Sequence, residues 1–444
     1  MRELQRCVSV GDTDVKQHHA ARPRVLVVTE ALPRPDESAG SSRLLAVVTH
    51  LALMGRHVDL WVEHDECEGQ TPLSPARVER DRRRLEALGV RVLPATWRAF
   101  RQAVTRQRYS AVVFEFYHVA ARYMPAMRRL QPHATLVVDS VDVHFARLSA
   151  GAAIGAVHPQ WARDVHDAET RTYRAADVVI AASAADVRVL EREPGMPPLV
   201  CVPVSVVPRA RERRQRDTQA VFVGHFRHDP NLDGLTWFVR DVWPGVRVRH
   251  PNATLTVIGS YPTPAVYALG RQPGVHVVGH VADLSPYMDA AAAAIAPLRF
   301  GAGMKGKVTD ALAAGLPLVT TSVGAQGLEL VDGQHAWIAD EASEFAAALS
   351  STFEDQVAAA AMGARGQAHV SRLCGPDVVA AGVRAALDVA HRHRRATAAG
   401  LLRGHLQLAG LGLAHWRLSR RRRLARGLST QRNDTMAGET PVLP

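Results

Sequence analysis

The chain has 444 residues, of which 47% are apolar and 22% are charged. This length suggests two to three domains, and the composition is typical of a globular protein rather than a fibrous or disordered one. Four scattered cysteines form no CxxC pair, which argues against a structural zinc or a disulfide framework and fits a reducing cytosol. The sequence has no run of about 18 apolar residues and no apolar core near its N-terminus, which argues against a membrane span or a signal peptide.

The positive charge is concentrated at one end of the chain. Of the net charge of +11, residues 391–444 carry +9 and residues 1–390 carry +2. A nucleic-acid-binding domain is expected to spread its charge over a folded face. No nucleic-acid partner is therefore expected.

The first part of the chain alternates strand and helix signals after a polar leader, residues 1–22, which is predicted to be disordered. Residues 23–205 form the first predicted domain. Helical patterns such as 43–54 and 77–88 separate its valine-rich apolar runs. Such runs suit strands buried on both faces of a doubly wound parallel sheet, an α/β fold. The strands are predicted at 24–30, 57–63, 90–95, 110–116, 134–140 and 176–183.

A second block of the same kind follows a charged linker, 206–219, which contains a proline and has no apolar period. This block, residues 220–375, forms the second predicted domain, and another helix spans 376–395. The helices inside the block are predicted at 231–243, 342–350 and 355–371. Its strands are predicted at 220–224, 252–259, 275–281, 292–298, 316–321 and 335–340.

The C-terminal segment, residues 396–444, is basic and rich in leucine. Within it, residues 397–429 contain Trp416 and the run Arg420–Arg423. One interpretation is a disordered basic tail. A second is a helix that lies on an anionic membrane surface with its leucines inward and its arginines at the headgroups, although its glycines weaken a helix. A tail that binds nucleic acid is a third interpretation, which the frequent leucines disfavour.

Lysine is rare in this chain, and two of the three lysines, Lys305 and Lys307, lie in the glycine-rich run GAGMKGKVTDALAAG, residues 301–315. Glycines that precede a helix expose backbone N–H groups and the positive end of the helix dipole to an anion. Lysine adds a compact positive charge. The run therefore predicts a phosphate or diphosphate site; the alternative is a turn before a core helix, with two solvated lysines.

Part of this run also matches the start of a P-loop, G-x-x-x-x-G-K, through Gly301, Gly306 and Lys307. The next P-loop residue is Ser or Thr, whose hydroxyl holds Mg²⁺. Here that position is Val308, which has no hydroxyl. A P-loop nucleotide hydrolase is therefore kept only as an alternative.

A longer stretch, 300–329, resembles the hallmark of glycosyltransferase family 4, the group 1 glycosyltransferases with a GT-B fold, in the subgroup with a glycine–lysine motif. Residues 222–244, 253–262 and 275–291 resemble the preceding parts of the same donor domain, and the resemblance covers about residues 23–390. The residues in register with the family pattern are Gly301, Gly303, Lys305, Lys307, Asp310, Ala311, Gly315, Pro317, Leu318, Val319, Gly324 and Gly327.

The resemblance implies two Rossmann-like domains that face each other across a cleft, with the helix 376–395 crossing back to the first domain. It implies a retaining, metal-independent transfer from a nucleotide-diphosphate sugar, bound mainly by residues 220–330, to a glycan or lipid-linked acceptor on the first domain. No cofactor is implied. Surface polysaccharide or glycoconjugate synthesis is the expected role, in the cytoplasm or at the inner face of the cell membrane, to which residues 397–429 would attach the protein.

The resemblance also implies roles for donor-binding residues. Lys305 or Lys307 would neutralise the leaving diphosphate, and Asp310 would accept hydrogen bonds from the ribose hydroxyls. The remaining donor-binding candidates are Gly301 and Gly303 in the same run, Gly224 and Arg227 after the first strand of the second domain, and Gly40, which would face the phosphates across the cleft.

In the first domain, the stretch 137–147 follows a predicted strand and resembles a family loop near the transferred sugar. Three of its polar residues, Asp139, Asp142 and His144, are the catalytic candidates, although alignment on Asp139 puts the usual histidine at Val141. Weaker candidates for the acceptor side are Tyr117 and His118, whereas Glu169 is expected to have a structural role.

Ala302 occupies the place of a second glutamate found in many members, as is usual for the glycine–lysine subgroup. Two other positions depart from the family pattern: Asp310 stands where glutamate is common, and the loop with Arg227 lacks the usual Arg and Lys. A non-catalytic, glycosyltransferase-like partner protein is therefore a further alternative.

Overall fold

The computed structural model describes residues 22–64, 75–210 and 218–394, together with residues 409 and 411. The predicted leader up to residue 21, residues 211–217 of the linker and the C-terminal segment apart from residues 409 and 411 lie outside the described residues.

The first domain is built on a parallel sheet, which has seven strands in the described residues, in the order β3-β2-β1-β4-β5-β6-β7. The six predicted strands are all present. The seventh, β7, escaped prediction because its three residues sit beside prolines. The strands are β1 Arg24–Thr29, β2 His57–Val62, β3 Val90–Val92, β4 Ala111–Glu115, β5 Thr135–Asp139, β6 Val178–Ala181 and β7 Leu199–Cys201.

Helices cover both faces of this sheet, and each face has its own apolar core. Continuous burial of the central strands explains why their sequences show no alternation. The helices of the first domain are α1 Ala39–Leu53, α2 Pro75–Glu86, α3 Trp97–Arg106, α4 Tyr117–Leu130, α5 His144–Ala153, α6 Pro159–Arg174 and α7 Ala184–Glu191.

The second domain repeats the arrangement with a parallel sheet of six described strands, in the order β10-β9-β8-β11-β12-β13. Its strands are β8 Gln219–Val223, β9 Thr254–Ile258, β10 Val275–Gly279, β11 Ala293–Ala296, β12 Leu318–Thr320 and β13 Trp337–Ile338. Its helices are α8 Asp229–Trp237, α9 Trp243–Arg249, α10 Pro264–Leu269, α11 Ser285–Ala290, α12 Gly306–Ala313, α13 Ser322–Ala325, α14 Ala342–Glu354 and α15 Gln356–Cys374.

The helix predicted at 231–243 differs from the structure in length and regularity. A π-helical segment, Phe238–Val242, joins α8 to α9, so helical structure runs from Asp229 to Arg249. Pro244 lies in the first turn of α9. Because proline has no backbone N–H, the regular hydrogen-bond ladder is interrupted there.

Chain crossings tie the two domains together. Val204 and Val206 are already buried in the second core, so the chain enters the second domain before the predicted linker begins. In the opposite direction, the last helix, α16 Pro376–Arg392, returns to the first sheet and buries Val379 and Val383 among its core residues. Phe300 of the second domain also packs into the first core.

Candidate active site

A cavity of about 440 Å³, the donor cavity, lies between the carboxyl ends of the strands of the two sheets. One wall is formed by the loops after β1, β4 and β5, and the other by the loops after β8, β9 and β10 and by the start of α12. Ligands of open parallel sheets bind at this edge. The donor cavity is therefore the candidate active site.

The glycine-rich run 301–315, called the glycine–lysine run below, begins with the tight turn that leads into α12. Gly303 has a φ of 68°, a left-handed conformation that glycine adopts without strain. At Gly301 a Cβ atom would lie 3.1 Å from Cε of Lys305, so the missing side chain leaves room for the lysine stem. Both glycines shape the turn, whereas Ala302, Lys305 and their neighbours line the cavity.

Both predicted lysines line the donor cavity. Lys305 is 9% exposed, and its Nζ donates hydrogen bonds to the Gly303 carbonyl oxygen at 2.6 Å and to Gln326 Oε1 at 3.3 Å. Nζ of Lys307 contacts Oδ1 of Asn231 and lies 5.1 Å from the centroid of the Phe222 ring. Among the described residues, neither ammonium forms an ion pair with a carboxylate.

Burial lowers the pKa of both lysines, to about 8 for Lys305 and about 7 for Lys307. The positive charge of Lys305 contributes to the lowering at Lys307. Two neighbouring ammonium groups in a partly buried cavity disfavour each other's charge. An anion between them would relieve that repulsion, so the site is suited to a diphosphate.

Asp310 and Gly224 also line the donor cavity. Asp310 lies on α12, and desolvation raises the pKa of its carboxyl to about 6, so it is ionised at pH 7. Gly224 follows β8, and a Cβ atom there would lie 2.8 Å from the Phe222 ring. Both predicted donor-binding residues are therefore on the second-domain wall, with Asp310 able to accept hydrogen bonds.

The N-terminus of α12 meets the N-terminus of α1 across the cavity. A Cβ atom on Gly306 would lie 2.3 Å from Cβ of Ala39, the first residue of α1. Gly40 follows and lines the cavity, and the cap of α1 is Ser38, whose Oγ accepts from the Ser41 N–H at 3.2 Å. Two helix N-termini thus converge on one cavity, which favours an anionic ligand.

We expect Gly306→Ala to destabilise the protein by about 1–3 kcal/mol, because the added methyl group forces the two helix ends apart. Gly245→Ala is the matched control, since Gly245 is also helical and its Cβ would lie at an ordinary 3.5 Å from Ala346. The control is expected to be neutral or slightly stabilising. Urea denaturation measures both variants, and equal stability of the two would contradict the close approach.

Asp139 lies beneath the donor cavity rather than in its wall. Its Oδ1 accepts hydrogen bonds from Arg43 at 2.9 Å and 3.2 Å, and both side chains are almost fully buried. The carboxylate is thus committed to holding α1 against the end of β5. Asp139 is therefore placed outside the wall of the donor cavity, and the catalytic role expected of it stays a prediction.

Asp142 and His144 do line the donor cavity. Nδ1 of His144 lies 3.3 Å from Oδ1 of Asp142. Burial opposes the charge on both groups, yet Asp142 and Glu169 raise the pKa of His144, and His144 with Arg147 lowers the pKa of Asp142. Asp142 is thus held ionised in the wall of the cavity.

Glu169 has the structural role expected of it. Its two carboxylate oxygens accept hydrogen bonds from the backbone N–H groups of His144 at 3.0 Å and Phe145 at 2.7 Å, in the first turn of α5. A carboxylate at a helix N-terminus satisfies free N–H groups and complements the dipole. Glu169 therefore fixes the helix that carries His144.

Several residues of the cavity were not predicted from the sequence, among them Arg147, Asn231 and His228. Arg147 donates from Nε to Oδ2 of Asp142 at 2.8 Å, Asn231 contacts Lys307, and His228 also lines the cavity. Burial lowers the pKa of His228 to about 3, so its imidazole is neutral. The helical spacing between His144 and Arg147 was the available signal, because residues three apart share one helix face.

Arg227, predicted as a phosphate contact, faces a different cavity. Its guanidinium stacks on Tyr261, 3.8 Å from the ring centroid, and lines a neighbouring space with His225 and Glu30. The acceptor-side candidates lie nearby: Tyr117 packs edge-on against His144, and His118 contacts Glu30 at 2.8 Å.

The P-loop alternative finds no metal-binding hydroxyl in the glycine–lysine run. Val308 is fully buried, and Oγ1 of Thr309 donates to the Gly306 carbonyl oxygen at 2.8 Å. In the part of the chain that the structure describes, no group of three or more His, Cys, Asp or Glu residues has metal-binding geometry. Nor is any described helix long and apolar enough to cross a membrane.

Comparisons with known proteins identify the class to which this fold belongs. The chain shares its two-domain fold with sucrose-phosphate synthase from Thermosynechococcus elongatus, at 15% identity and a TM-score of 0.62 over 81% of this chain and 97% of the other. HepE from Anabaena, solved with UDP and glucose, matches at 15% identity and a TM-score of 0.61 over 83% of this chain and 100% of the other. The predicted GT-B fold is confirmed.

Residues 217–355 match the family model Glycosyl transferases group 1, so this chain carries a group 1 glycosyltransferase domain, as its motifs predict. A curated relative, an uncharacterized 44.6 kDa protein in the cps region of Klebsiella pneumoniae, is 28% identical over 134 residues. That alignment spans 28% of this chain and 34% of the relative.

Proposed function

We propose that this protein transfers a sugar from a nucleotide-diphosphate sugar to a glycan or lipid-linked acceptor. The observation that carries the proposal is the pair of lysines at the start of α12, which line the donor cavity without an ionic partner among the described residues. Such a pair needs a multiply charged anion. The group 1 glycosyltransferase domain at 217–355 makes a diphosphate leaving group the natural candidate.

The proposed reaction is retaining and independent of a metal ion. The bond between the anomeric carbon and the diphosphate oxygen breaks, and its electron pair stays with the diphosphate. The acceptor hydroxyl oxygen bonds the anomeric carbon from the same face, and its proton passes to the diphosphate. The charge of the leaving group is stabilised by Lys305, Lys307 and the N-terminal amides of α12. Preorganised positive groups of this kind stabilise charge that develops in the transition state without having to reorient.

The proposed biological role is surface polysaccharide or glycoconjugate synthesis. It is supported by the cps-region origin of the Klebsiella relative, which matches only part of either chain.

Two alternative functions predict other experimental outcomes. A P-loop hydrolase would turn over ATP or GTP with Mg²⁺ and lose activity in EDTA, and a non-catalytic partner protein would bind no nucleotide sugar.

Thermal unfolding against UDP-, GDP-, ADP- and dTDP-sugars tests the proposal, because a ligand that binds only the native state raises apparent stability. At least one nucleotide sugar is expected to raise Tm in EDTA. UDP-glucose is the first to try, given the HepE complex with UDP and glucose. No shift with any of the four classes would contradict the proposal.

We also propose that residues 397–429 attach the protein to the inner face of the cell membrane. Truncation after residue 395 removes most of the basic excess, and each lost arginine near a membrane costs about 1 kcal/mol. We therefore expect the full chain to co-sediment with phosphatidylglycerol vesicles and the truncated chain to remain in the supernatant. Phosphatidylcholine vesicles are the control, and equal sedimentation of both chains would exclude this attachment.

A further inference from the structure

The turn that carries Lys305, residues 301–305 of the second domain, is held by the first domain at two points. A Cβ atom on Gly303 would lie 3.1 Å from Cβ of Asp142 and 3.6 Å from the Val141 carbonyl oxygen. The backbone N–H of the same glycine donates a hydrogen bond to Oδ1 of Asp186, at 3.2 Å. The position of Lys305 in the donor cavity therefore depends on contacts between the two domains.

Asp186 lies in the first turn of α7 and is 4% exposed. Its Oδ2 accepts a hydrogen bond from the hydroxyl of Ser183, the N-cap of this helix, at 2.6 Å. Its backbone N–H donates in return to the Ser183 hydroxyl oxygen at 3.1 Å. These two bonds fix the side chain on its own helix, and the other carboxylate oxygen, Oδ1, reaches the second domain.

The start of α7 also supports the second group that binds Lys305. A Cβ atom on Gly327 would lie 2.7 Å from Cβ of Ser183, so this close approach requires a glycine. The neighbouring Gln326 accepts a hydrogen bond from Nζ of Lys305, whose other acceptor is the Gly303 carbonyl oxygen. Both acceptors of the ammonium group therefore lie in segments that the start of α7 contacts.

The carboxylate of Asp186 also acts on the charge of Lys305. Burial lowers the pKa of Lys305 to about 8, while Asp186 and Asp142 oppose that lowering. Burial raises the pKa of Asp186, and Ser183, Lys305 and the Gly303 N–H oppose the rise by favouring its ionised form. The other charged group of the run, Lys307, has its pKa lowered by Lys305. Removing the charge of Asp186 would therefore make Lys305 easier to deprotonate.

We propose that Asp186 is a positioning residue for sugar transfer, which fixes the Gly303 peptide by a hydrogen bond and holds the Lys305 ammonium by its negative charge. Asp186 does not itself line the donor cavity, so it acts through Lys305 rather than on the donor. The inference rests on the proposed function. It makes the first domain a determinant of how the second domain binds the diphosphate.

Two substitutions separate the hydrogen bond of Asp186 from its charge. Asp186→Ala removes the acceptor, and we expect release of the nucleoside diphosphate at saturating donor to slow by on the order of 10²-fold, because Lys305 is misplaced. Asp186→Asn keeps an acceptor oxygen and should stay within about threefold of the wild type. Single-turnover assays well below each Tm measure the rates, with the nucleotide sugar that gives the largest thermal shift. A wild-type rate in Asp186→Ala, or equal losses in both variants, would overturn the proposal.

The pH dependence of binding supplies a measurement that a purely structural role would not change. In Asp186→Asn, the free protein should lose the Lys305 proton at a lower pH, whereas a bound diphosphate keeps that lysine charged. The decline of UDP affinity with rising pH should therefore begin lower than in the wild type, by about half a pH unit or more. Isothermal titration with UDP from pH 6 to pH 9 measures this shift, and an unchanged profile would overturn the proposal.

A double-mutant cycle tests whether Asp186 acts through Lys305. In protein that already carries Lys305→Met, the further change Asp186→Ala should slow diphosphate release by no more than about threefold, because residues that act as one unit are not additive. A second loss on the order of 10²-fold would overturn the proposal.

Asp177→Asn is the matched control for both measurements. Asp177 is also buried and also accepts a hydrogen bond from a backbone N–H, that of Leu136 at 2.8 Å. It precedes β6, however, and so lies at the edge of the sheet opposite the donor cavity. Its rate and pH profile should match the wild type, and a pH shift equal to that of Asp186→Asn would overturn the proposal.

The wild-type titration separates this inference from the proposed function. A wild-type protein that binds no nucleoside diphosphate would overturn the proposed function itself. Wild-type binding, with unchanged rates and pH profiles in the Asp186 variants, would overturn the inference alone.

Discussion

Replacing both Lys305 and Lys307 with methionine is expected to lower kcat/KM for the nucleotide sugar by on the order of 10⁴-fold. Loss of one preorganised group that stabilises developing charge costs about 10²–10³ in rate. The two lysines act on the same leaving group, so their effects are not simply additive. Release of the nucleoside diphosphate in a single-turnover assay measures the loss.

The same double variant is expected to unfold at a Tm equal to or above that of the wild type. In the folded state, burial lowers the pKa of both ammonium groups, which means that the fold disfavours their charged forms at pH 7. Methionine retains an apolar stem and removes that penalty. Lower activity with undiminished stability is the signature of residues kept for function.

Arg240→Met is the control for this experiment, because Arg240 is an exposed cation of the same domain that pairs with Asp241. Its activity should match the wild type, and its stability should lie within about 0.5 kcal/mol of it. Full activity in the double lysine variant would rule out the diphosphate assignment. A marked fall in Tm would instead show that the lysines support the fold.

Donor affinity is expected to fall by on the order of 10²-fold between pH 7 and pH 9. The free protein has lysine pKa values of about 8 and about 7, for Lys305 and Lys307. A bound diphosphate favours the charged forms and raises both values. Below pH 7 both lysines of the free protein are largely charged, so diphosphate binding requires no uptake of protons. Above pH 8 each lysine must take up a proton when the diphosphate binds, and the affinity for the diphosphate therefore declines as the pH rises.

Isothermal titration of the nucleoside diphosphate at each pH measures this decline, and buffers of different ionisation enthalpy count the protons taken up. Lys307→Met should bind more weakly at pH 7 and show a shallower dependence, set by Lys305 alone. His228 should not contribute, since its pKa of about 3 keeps it neutral throughout. A flat profile from pH 7 to pH 9 would contradict the burial of the two ammonium groups.

The strands of both sheets could be predicted because the sequence patterns that indicate a buried strand lie within the strand itself. Valine-rich runs such as those of β1, β4 and β5 are buried on both faces, and this burial alone requires a continuous apolar sequence. The strand β7 has only three residues and partial exposure, so its sequence carried no comparable signal. The π-helical segment could not be predicted either, because it depends on how the chain accommodates Pro244 within a packed helix.

The site was only partly predictable because its side chains come from both domains. Asp139 and Asp142 are three residues apart and looked equivalent in the sequence, yet one pairs with Arg43 below the sheet edge and the other faces the cavity. Arg43, whose hydrogen bonds hold Asp139 in its buried position, lies 96 residues away in the sequence. His228 and Asn231 looked like ordinary residues of a helix start until β8 brought them beside Lys307.

The sequence by itself determined the two parallel-sheet domains, the group 1 glycosyltransferase character of residues 217–355 and the two lysines at the start of α12. Each of these rests on residues close together in the chain, in patterns set by strand burial and by the geometry of a helix N-terminus. Tertiary structure alone decided that both lysines are buried with lowered pKa values, that Arg227 faces a neighbouring cavity and that Arg147 holds Asp142. These properties depend on contacts between residues that are distant in the sequence, and such contacts exist only in the folded chain.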